Sequence, residues 1–275
     1  MPDPILPDDN SAANTADLGW RIKQLRLRRG LQQKALAQLA SVDAAFLNRL
    51  ERGGPRRSKP KPETIYRLLD ALQATPAERE AVFHIEVPPL SDDEIEAFVA
   101  EIAVELELSP EPAVLVDDRW YRRYINKVGR RMYGLTDDAY RRSVNVHTLG
   151  AYVDPEQPIY SRYREADRLF HFARRVLTFR IAFANRQFDS WYLDVERYLK
   201  RFEMGTSVWD DTELVVPPTF MLSQEVTYQD SQQHIYRLMG RVDILIKNTR
   251  FMLLQLSPQD DETRRLLDSL NAQED

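Results

Sequence analysis

Residues 31–53 read LQQKALAQLASVDAAFLNRLERG, and they carry the clearest structural pattern in the amino-terminal part of the chain. Segments 32–40 and 44–52 each space their apolar residues as one face of a helix. Asp43 stands between them, and its carboxylate can cap the free amides of the second helix. Ala37 is small, as the close crossing of two such helices requires. Two short helices joined by a tight turn predict a helix-turn-helix.

Three more helices complete the predicted amino-terminal domain. Asp17 is a suitable N-cap for a first helix, and Gly30 is suited to end that helix in the left-handed conformation. Residues 63–72 carry an amphipathic pattern, and Thr75 followed by proline is a typical start of a fifth helix. The sequence therefore predicts an all-α domain of five helices.

Charge is distributed unevenly along the chain. Residues 17–67 hold 13 Lys and Arg against four Asp and Glu, whereas the whole chain has a net charge of −5. A basic block on an otherwise acidic chain indicates a polyanionic partner for that block. A solvated basic face without a partner is the alternative interpretation of the same charges.

Composition excludes several classes of protein. The chain has no cysteine, which excludes disulfides and thiolate sites. No apolar run approaches the roughly 20 residues that span a bilayer, and the amino terminus lacks a signal-peptide pattern. We therefore expect a cytoplasmic protein without a membrane partner.

The rest of the chain predicts a sheet with helices. Residues 113–116 and 119–125 are typical of a strand pair, and residues 163–188 of a helix. Four β-branched or aromatic runs follow residue 209, at 212–228, 235–238, 242–246 and 251–256. The order favours an antiparallel sheet with helices on one side, and an α+β protein overall. The predicted organisation is a disordered tail at 1–16, a helix-turn-helix domain at 17–88, a linker helix at 89–110 and a carboxy-terminal domain at 111–275.

The helix-turn-helix pattern resembles the XRE-type (Cro/repressor-like) regulators in residues 31–37 and 46–53, followed by Pro62 and an apolar helix. This resemblance implies that the third helix enters the major groove of double-stranded DNA. We expect the protein to bind as a homodimer. Residues 54–62 are rich in Pro, Arg and Lys, which predicts a basic loop. The resemblance and this loop together predict DNA contacts by Gln33, Asp43, Ala44, Ala45, Asn48, Arg49, Arg52, Arg56, Arg57 and Lys59.

The carboxy-terminal part resembles the MmyB-like regulators in residues 112–120, in Asn126 and Gly134, in residues 168–170 and in residues 254–258. This resemblance implies a PAS-like domain with an apolar ligand cavity. We expect a small ligand of fatty-acid type rather than a required cofactor. The expected pocket residues are Trp120, Tyr124, Phe170, Arg175, Phe179, Phe183 and Phe220.

Enzymatic function is not expected. The four histidines lack metal-ligand spacing, and the sequence contains neither a glycine-rich phosphate loop nor a nucleophile elbow. We therefore predict no catalytic and no metal-binding residues. The sequence favours a sequence-specific transcription regulator with a ligand-sensing domain. The alternative is a protein-interaction or scaffold module with a helix-turn-helix-like head and no ligand.

Overall fold

The computed structural model describes residues 11–53, 60–84, 86–211 and 224–272. The chain divides into two compact units, each of which is discontinuous in sequence. Unit 1 comprises Met1–Val87 and Phe183–Tyr192, and unit 2 comprises Pro88–Ala182 and Leu193–Asp275. Within the described ranges, no helix combines the length and the apolar character needed to cross a bilayer.

The amino-terminal part of unit 1 is helical, as the sequence predicts. The capping signals act where expected: the Asp43 carboxylate accepts a hydrogen bond from the Phe46 amide (2.7 Å), and Gly53 follows the same helix with φ of 66°. Thr75 and Glu78 form a reciprocal capping box. The helices are α1 Ser11–Arg28, α2 Gln33–Leu39, α3 Ala44–Arg52, α4 Pro62–Ala71 and α5 Pro76–Phe83.

The first helix is longer than predicted. It begins at Ser11, so Asp17 lies within α1 instead of capping it, and residues 11–16 of the predicted tail are helical. At its other end the prediction is confirmed, because Gly30 follows α1 with φ of 63°. One further correction concerns Leu39, which the helical spacing placed inward and which is 63% exposed.

The core of unit 1 is made by one apolar face of each helix. Complete burial of a leucine or isoleucine contributes about 1.5–3 kcal/mol, so this cluster is the main stabilising feature of the unit. Phe188 joins it from far along the chain. The buried members include Ile22, Leu25, Leu36, Leu47, Leu50, Ile65, Leu68, Leu69 and Val82.

Unit 2 contains a five-stranded antiparallel sheet. Its strands are β1 Ala113–Asp117, β2 Arg122–Ile125, β3 Gln224–Gln229, β4 Ile235–Ile244 and β5 Phe251–Pro258, in the spatial order β2-β1-β5-β4-β3. The remaining helices, of which α11 begins in unit 1, are α6 Asp92–Glu107, α7 Lys127–Met132, α8 Asp137–Ser143, α9 Gly150–Val153, α10 Glu165–Ala182, α11 Ser190–Leu199, α12 Glu203–Asp210 and α13 Asp261–Asn271. This strand order, with helices between the second and third strands, is that of a PAS fold. The α+β prediction is confirmed.

Both faces of the sheet are covered, not one as predicted. Successive residues of a strand point to opposite faces. Leu115 and Phe251 pack with α6, where the Phe98 and Phe251 rings stack at 4.3 Å between centroids. Val114 and Val116 point to the other face, toward a cavity walled by helices. This explains why all five residues of β1 are buried.

Two predicted strands are in fact one. The sequence separates residues 235–238 from 242–246 at Gly240, but β4 runs continuously through that glycine. Gly240 pairs with Gln224 on one side and Leu256 on the other, so the ladder continues across it. A glycine weakens a strand without ending it when both neighbours supply hydrogen bonds.

Two domain boundaries also differ from the predicted ones. The helix α6, expected as a linker, belongs to unit 2 and packs on its sheet. The helix predicted over 163–188 ends at Ala182, and the next ten residues belong to unit 1.

Candidate DNA-binding surface and ligand cavity

The outer face of α3 is exposed and polar. Ala44, Ala45 and Arg49 are exposed, Arg52 is exposed one turn further on, and Asn48 is half-buried among them. These positions recur every three to four residues and therefore share one face of the helix. Within the described parts of the chain, neither arginine of this face forms an ion pair. The face can therefore offer its guanidinium groups to a ligand.

The inner face of α3 is fixed by a buried ion pair. The Arg26 guanidinium donates to both carboxylate oxygens of Glu51 at 2.8 Å, and the two residues are only 8% and 7% exposed. Arg26 also donates to the Leu31 carbonyl (2.8 Å). The hydrogen bonds to Glu51 raise the pKa of Arg26 above its ordinary value. This pair connects α1 with α3 and fixes how α3 is presented.

Gln33 and Asp43, both predicted to contact DNA, form hydrogen bonds within unit 1. The Gln33 side-chain amide donates to Glu51 (3.0 Å), so a phosphate contact by that amide requires it to leave this bond. The Asp43 carboxylate is the N-cap of α3. Of the remaining predicted contacts, Arg56, Arg57 and Lys59 lie outside the described residues.

A close helix crossing at Gly19 sets the position of α3 and was missed by the sequence prediction. A Cβ atom placed on Gly19 would lie 1.8 Å from the Leu50 carbonyl oxygen. Only glycine permits α1 and α3 to approach to this distance. The sequence signal for this crossing was the Gly19-Trp20 pair, which lies at the start of the apolar pattern of the predicted first helix.

Unit 2 encloses a cavity of about 90 Å³ between its sheet and helices. Its walls are largely aliphatic and aromatic, as in pockets for small molecules. Two arginines line it, and within the described residues no carboxylate does. The lining residues are Val114, Val116, Trp120, Arg122, Tyr133, Thr148, Leu149, Tyr152, Ile159, Tyr163, Arg175, Tyr228, Val242, Met252 and Leu254.

The polar groups of this cavity are phenols and guanidinium groups. The Tyr163 and Tyr228 hydroxyls lie 3.2 Å apart, and Tyr152 is a hydrogen-bond partner of Arg175. Burial raises the pKa of Tyr133, Tyr163 and Tyr228 well above the ordinary range, so these phenols stay protonated at neutral pH. A protonated phenol can donate to an anion. The cavity therefore combines an apolar body with donors suited to one acidic group.

The structure brings two of the seven predicted pocket residues, Trp120 and Arg175, to this cavity. Tyr124 instead packs with the residues under α6 and donates to Glu107. Phe170 is 62% exposed, and Phe179 is buried against Trp120 without lining the cavity. Phe183 belongs to unit 1, and Phe220 lies outside the described residues.

The histidines do not gather into a metal site within the described residues. His147 lies between the rings of Tyr121 and Phe179, each at 5.3 Å between centroids. Its burial lowers its pKa to about 3, so it is neutral at physiological pH. A neutral ring enclosed by aromatic residues has a packing role.

Comparison with known proteins identifies the amino-terminal segment. Residues 17–82 match the family model of a helix-turn-helix domain. The restriction-modification controller protein C.AhdI from Aeromonas hydrophila is 32% identical over 24% of this chain and 96% of its own, with a TM-score of 0.22. An RNA-binding light-oxygen-voltage receptor aligns with 96% of this chain and 66% of its own at 9% identity and a TM-score of 0.29, too low to support an argument. No curated protein sequence matches the chain. The MmyB-like resemblance stays a prediction.

Proposed function

Because residues 17–82 belong to the helix-turn-helix domain family, we propose that this protein is a sequence-specific DNA-binding transcription regulator. We further propose that unit 2 senses a small apolar acid. The outer face of α3, polar and exposed on a helix whose inner face is fixed by the Arg26–Glu51 pair, is the observation that supports DNA recognition most strongly.

Each residue type on this face suits a DNA contact. Arg49 can donate two hydrogen bonds to N7 and O6 of guanine, Asn48 can pair with adenine, and the methyl groups of Ala44 and Ala45 suit thymine. With only one arginine and one amide at the centre of the face, direct readout is sparse, and Arg49 supplies most of it. Arg52 and the basic residues at 56, 57 and 59 contact phosphates without reading sequence.

The proposed regulator acts as a homodimer. Helix-turn-helix dimers place their recognition helices about 34 Å apart, one turn of DNA, so that their operators are inverted repeats. Selection of binding sites from a random duplex library with the full chain is therefore expected to yield an inverted repeat. Recovery of one half-site alone contradicts the dimer. Recovery of no sequence preference contradicts the regulator.

Replacement of Arg49 tests the recognition helix. Loss of a bidentate contact to guanine costs about 1–3 kcal/mol, so Arg49→Ala is expected to weaken binding to the selected duplex by about 5- to 150-fold for each half-site. Fluorescence anisotropy at constant salt measures this change. Arg79→Ala, which removes one positive charge on α5, is the control and is expected to leave the affinity for the selected duplex within about threefold.

The ligand proposal rests on the chemistry of the cavity. The Arg175 guanidinium and neighbouring phenols would hold a carboxylate, and the aliphatic wall would hold an apolar chain. A void of roughly 150 Å³ accommodates benzene, so a cavity of about 90 Å³ favours a short acyl chain over a long one.

A series of acids tests this proposal. A saturating short-chain acid such as propionate, at about 100 times its Kd, is expected to raise the free energy of unfolding by about 2.7 kcal/mol. Arg175→Leu is expected to abolish the increase, whereas Arg264→Leu on α13 serves as the matched control. Native mass spectrometry of the purified chain shows whether an acid is already bound. Stabilisation of wild type and Arg175→Leu by the same amount would contradict the assigned role of Arg175.

A further inference from the structure

The segment Phe183–Tyr192, hereafter the insertion segment, belongs to a different unit from the residues on either side of it. The chain leaves unit 2 after Ala182, contributes these ten residues to unit 1, and re-enters unit 2 at Leu193. The chain also passes from unit 1 to unit 2 between Val87 and Pro88, so three peptide connections join the two units. A chain with two ordinary consecutive domains has one.

The insertion segment is built into the core of unit 1. Phe188 is only 4% exposed and belongs to the same apolar cluster as the helix-turn-helix residues. Its ring meets Trp20 of α1 edge-on, with 6.0 Å between centroids, and the Arg28 guanidinium lies 5.1 Å from its centroid. Arg28 also donates to Gln187. The helix-turn-helix unit is therefore incomplete without residues that follow it by more than a hundred positions.

Polar contacts hold the insertion segment in unit 1 on both sides of Phe188. The Ser190 amide and hydroxyl donate to the two carboxylate oxygens of Glu86 at 3.0 and 2.8 Å. Arg186 donates to His84 at the end of α5. The segment thus contacts both α1 and the region of α5, so its position affects the helices that support α3.

The residues just before the insertion segment belong to the cavity-bearing part of unit 2. Arg175 lies on α10 and lines the cavity, two helical turns before Ala182. Phe179, one turn before Phe183, is fully buried and packs edge-on against the cavity residue Trp120, with 5.5 Å between centroids. The helix that carries both Arg175 and Phe179 ends at Ala182, directly before the insertion segment.

We propose that the insertion segment is the regulatory connection of this protein, through which the state of the unit 2 cavity changes the packing of the DNA-binding unit. This inference rests on the proposed function for its biological meaning. In physical terms, the Phe188 ring packs in the core of unit 1 and supports α1. The conformation of α10 changes how tightly this ring packs. Such coupling is reciprocal, so events in unit 1 affect α10 equally.

Hydrogen exchange of the full chain tests the first half of this proposal. Removal of a buried phenylalanine ring is expected to accelerate exchange of the most protected α1 and α5 amides by about 100-fold or more in Phe188→Ala. Phe188→Leu, which keeps an apolar side chain, is expected to restore most of the protection. Phe170→Ala is the matched control, because this ring on α10 is 62% exposed and lies in unit 2. Unchanged α1 exchange in Phe188→Ala would overturn the proposal.

A double-mutant cycle tests the coupling itself. Phe179→Leu alters the packing of α10 in unit 2 and is expected to accelerate exchange in α1 by about threefold or more, but only while Phe188 is present. In the Phe188→Ala background the same change is expected to leave α1 exchange unaltered. An effect of equal size in both backgrounds, or no effect on α1 in either, contradicts a connection through Phe188. Because the cycle needs neither DNA nor a ligand, its outcome is independent of the binding-site selection that tests the proposed function.

Discussion

We expect Glu51→Ala to lower the free energy of unfolding of unit 1 by about 3–5 kcal/mol. The substitution leaves the buried Arg26 guanidinium without its carboxylate partner, and it also removes the acceptor of the Gln33 amide. An uncompensated buried charge is far more costly than the loss of an exposed ion pair. Glu51 therefore acts as a structural residue, although it lies on the helix that is proposed to read DNA.

Hydrogen exchange of the α1 and α3 amides measures this loss within unit 1. Glu63→Ala, which removes an exposed carboxylate from α4, is the control and is expected to change stability by less than about 0.5 kcal/mol. The double variant Arg26→Met with Glu51→Leu replaces the pair by apolar side chains and is expected to be less destabilised than Glu51→Ala. Equal stability of Glu51→Ala and wild type would show that the pair does not hold α3.

The second large effect is expected from Gly19→Ala. An alanine in place of glycine inside a helix ordinarily stabilises a protein by about 0.5–1 kcal/mol, because it reduces the freedom of the unfolded chain. At Gly19 the added Cβ would lie 1.8 Å from the Leu50 oxygen and 2.6 Å from the Leu50 carbonyl carbon. Neither is the mobile end of a side chain, so α1 and α3 must separate. We expect a loss of about 3 kcal/mol, the upper end of the range for overpacked cores.

The sign of this effect is its most informative feature. Urea unfolding followed by hydrogen exchange in α1 measures it, and Leu27→Ala serves as the control because Leu27 is 52% exposed on the same helix. The Arg49 side chain is unaffected in Gly19→Ala, so weakened DNA binding in this variant would report the displacement of α3. A stabilised Gly19→Ala variant would contradict the close crossing.

The helix-turn-helix could be predicted because its signals are local. The Asp43 cap, the Gly53 terminus and the leucine spacing of α3 lie within a dozen residues, and the structure contains all of them. Both termini of α3 depend on neighbouring residues, so a single sequence contains the necessary information for this helix.

Long-range features left no such signal. Nothing near Phe188 indicates that its ring completes a core formed by the first 82 residues. The hydrogen bond between Gln33 and Glu51 could likewise not be predicted from the sequence. A glutamine side chain at the start of a helix can donate equally well to a phosphate or to a buried carboxylate. Pairing across such distances is set by tertiary packing and not by periodicity.

The cavity was predicted in part for a similar reason. The aromatic residues along α10 were predicted to line the cavity. The direction in which each side chain points, however, depends on its angular position around the helix axis. Phe170 precedes Arg175 by five residues, which places them about 140° apart around a helix. Arg175 faces the cavity and Phe170 faces outward. The tyrosines that meet there come from four separate segments, and no local pattern brings them together.

Methylation interference on the selected duplex measures whether α3 lies in the major groove, because it reports a contact at a single atom. If Arg49 binds guanine, methylation of N7 at one guanine per half-site is expected to weaken wild-type binding by about 5- to 150-fold for each half-site and to have little further effect on Arg49→Ala. Interference of equal strength in wild type and Arg49→Ala, or tight sequence-specific binding without any sensitivity to major-groove methylation, would contradict the placement of α3 in the groove.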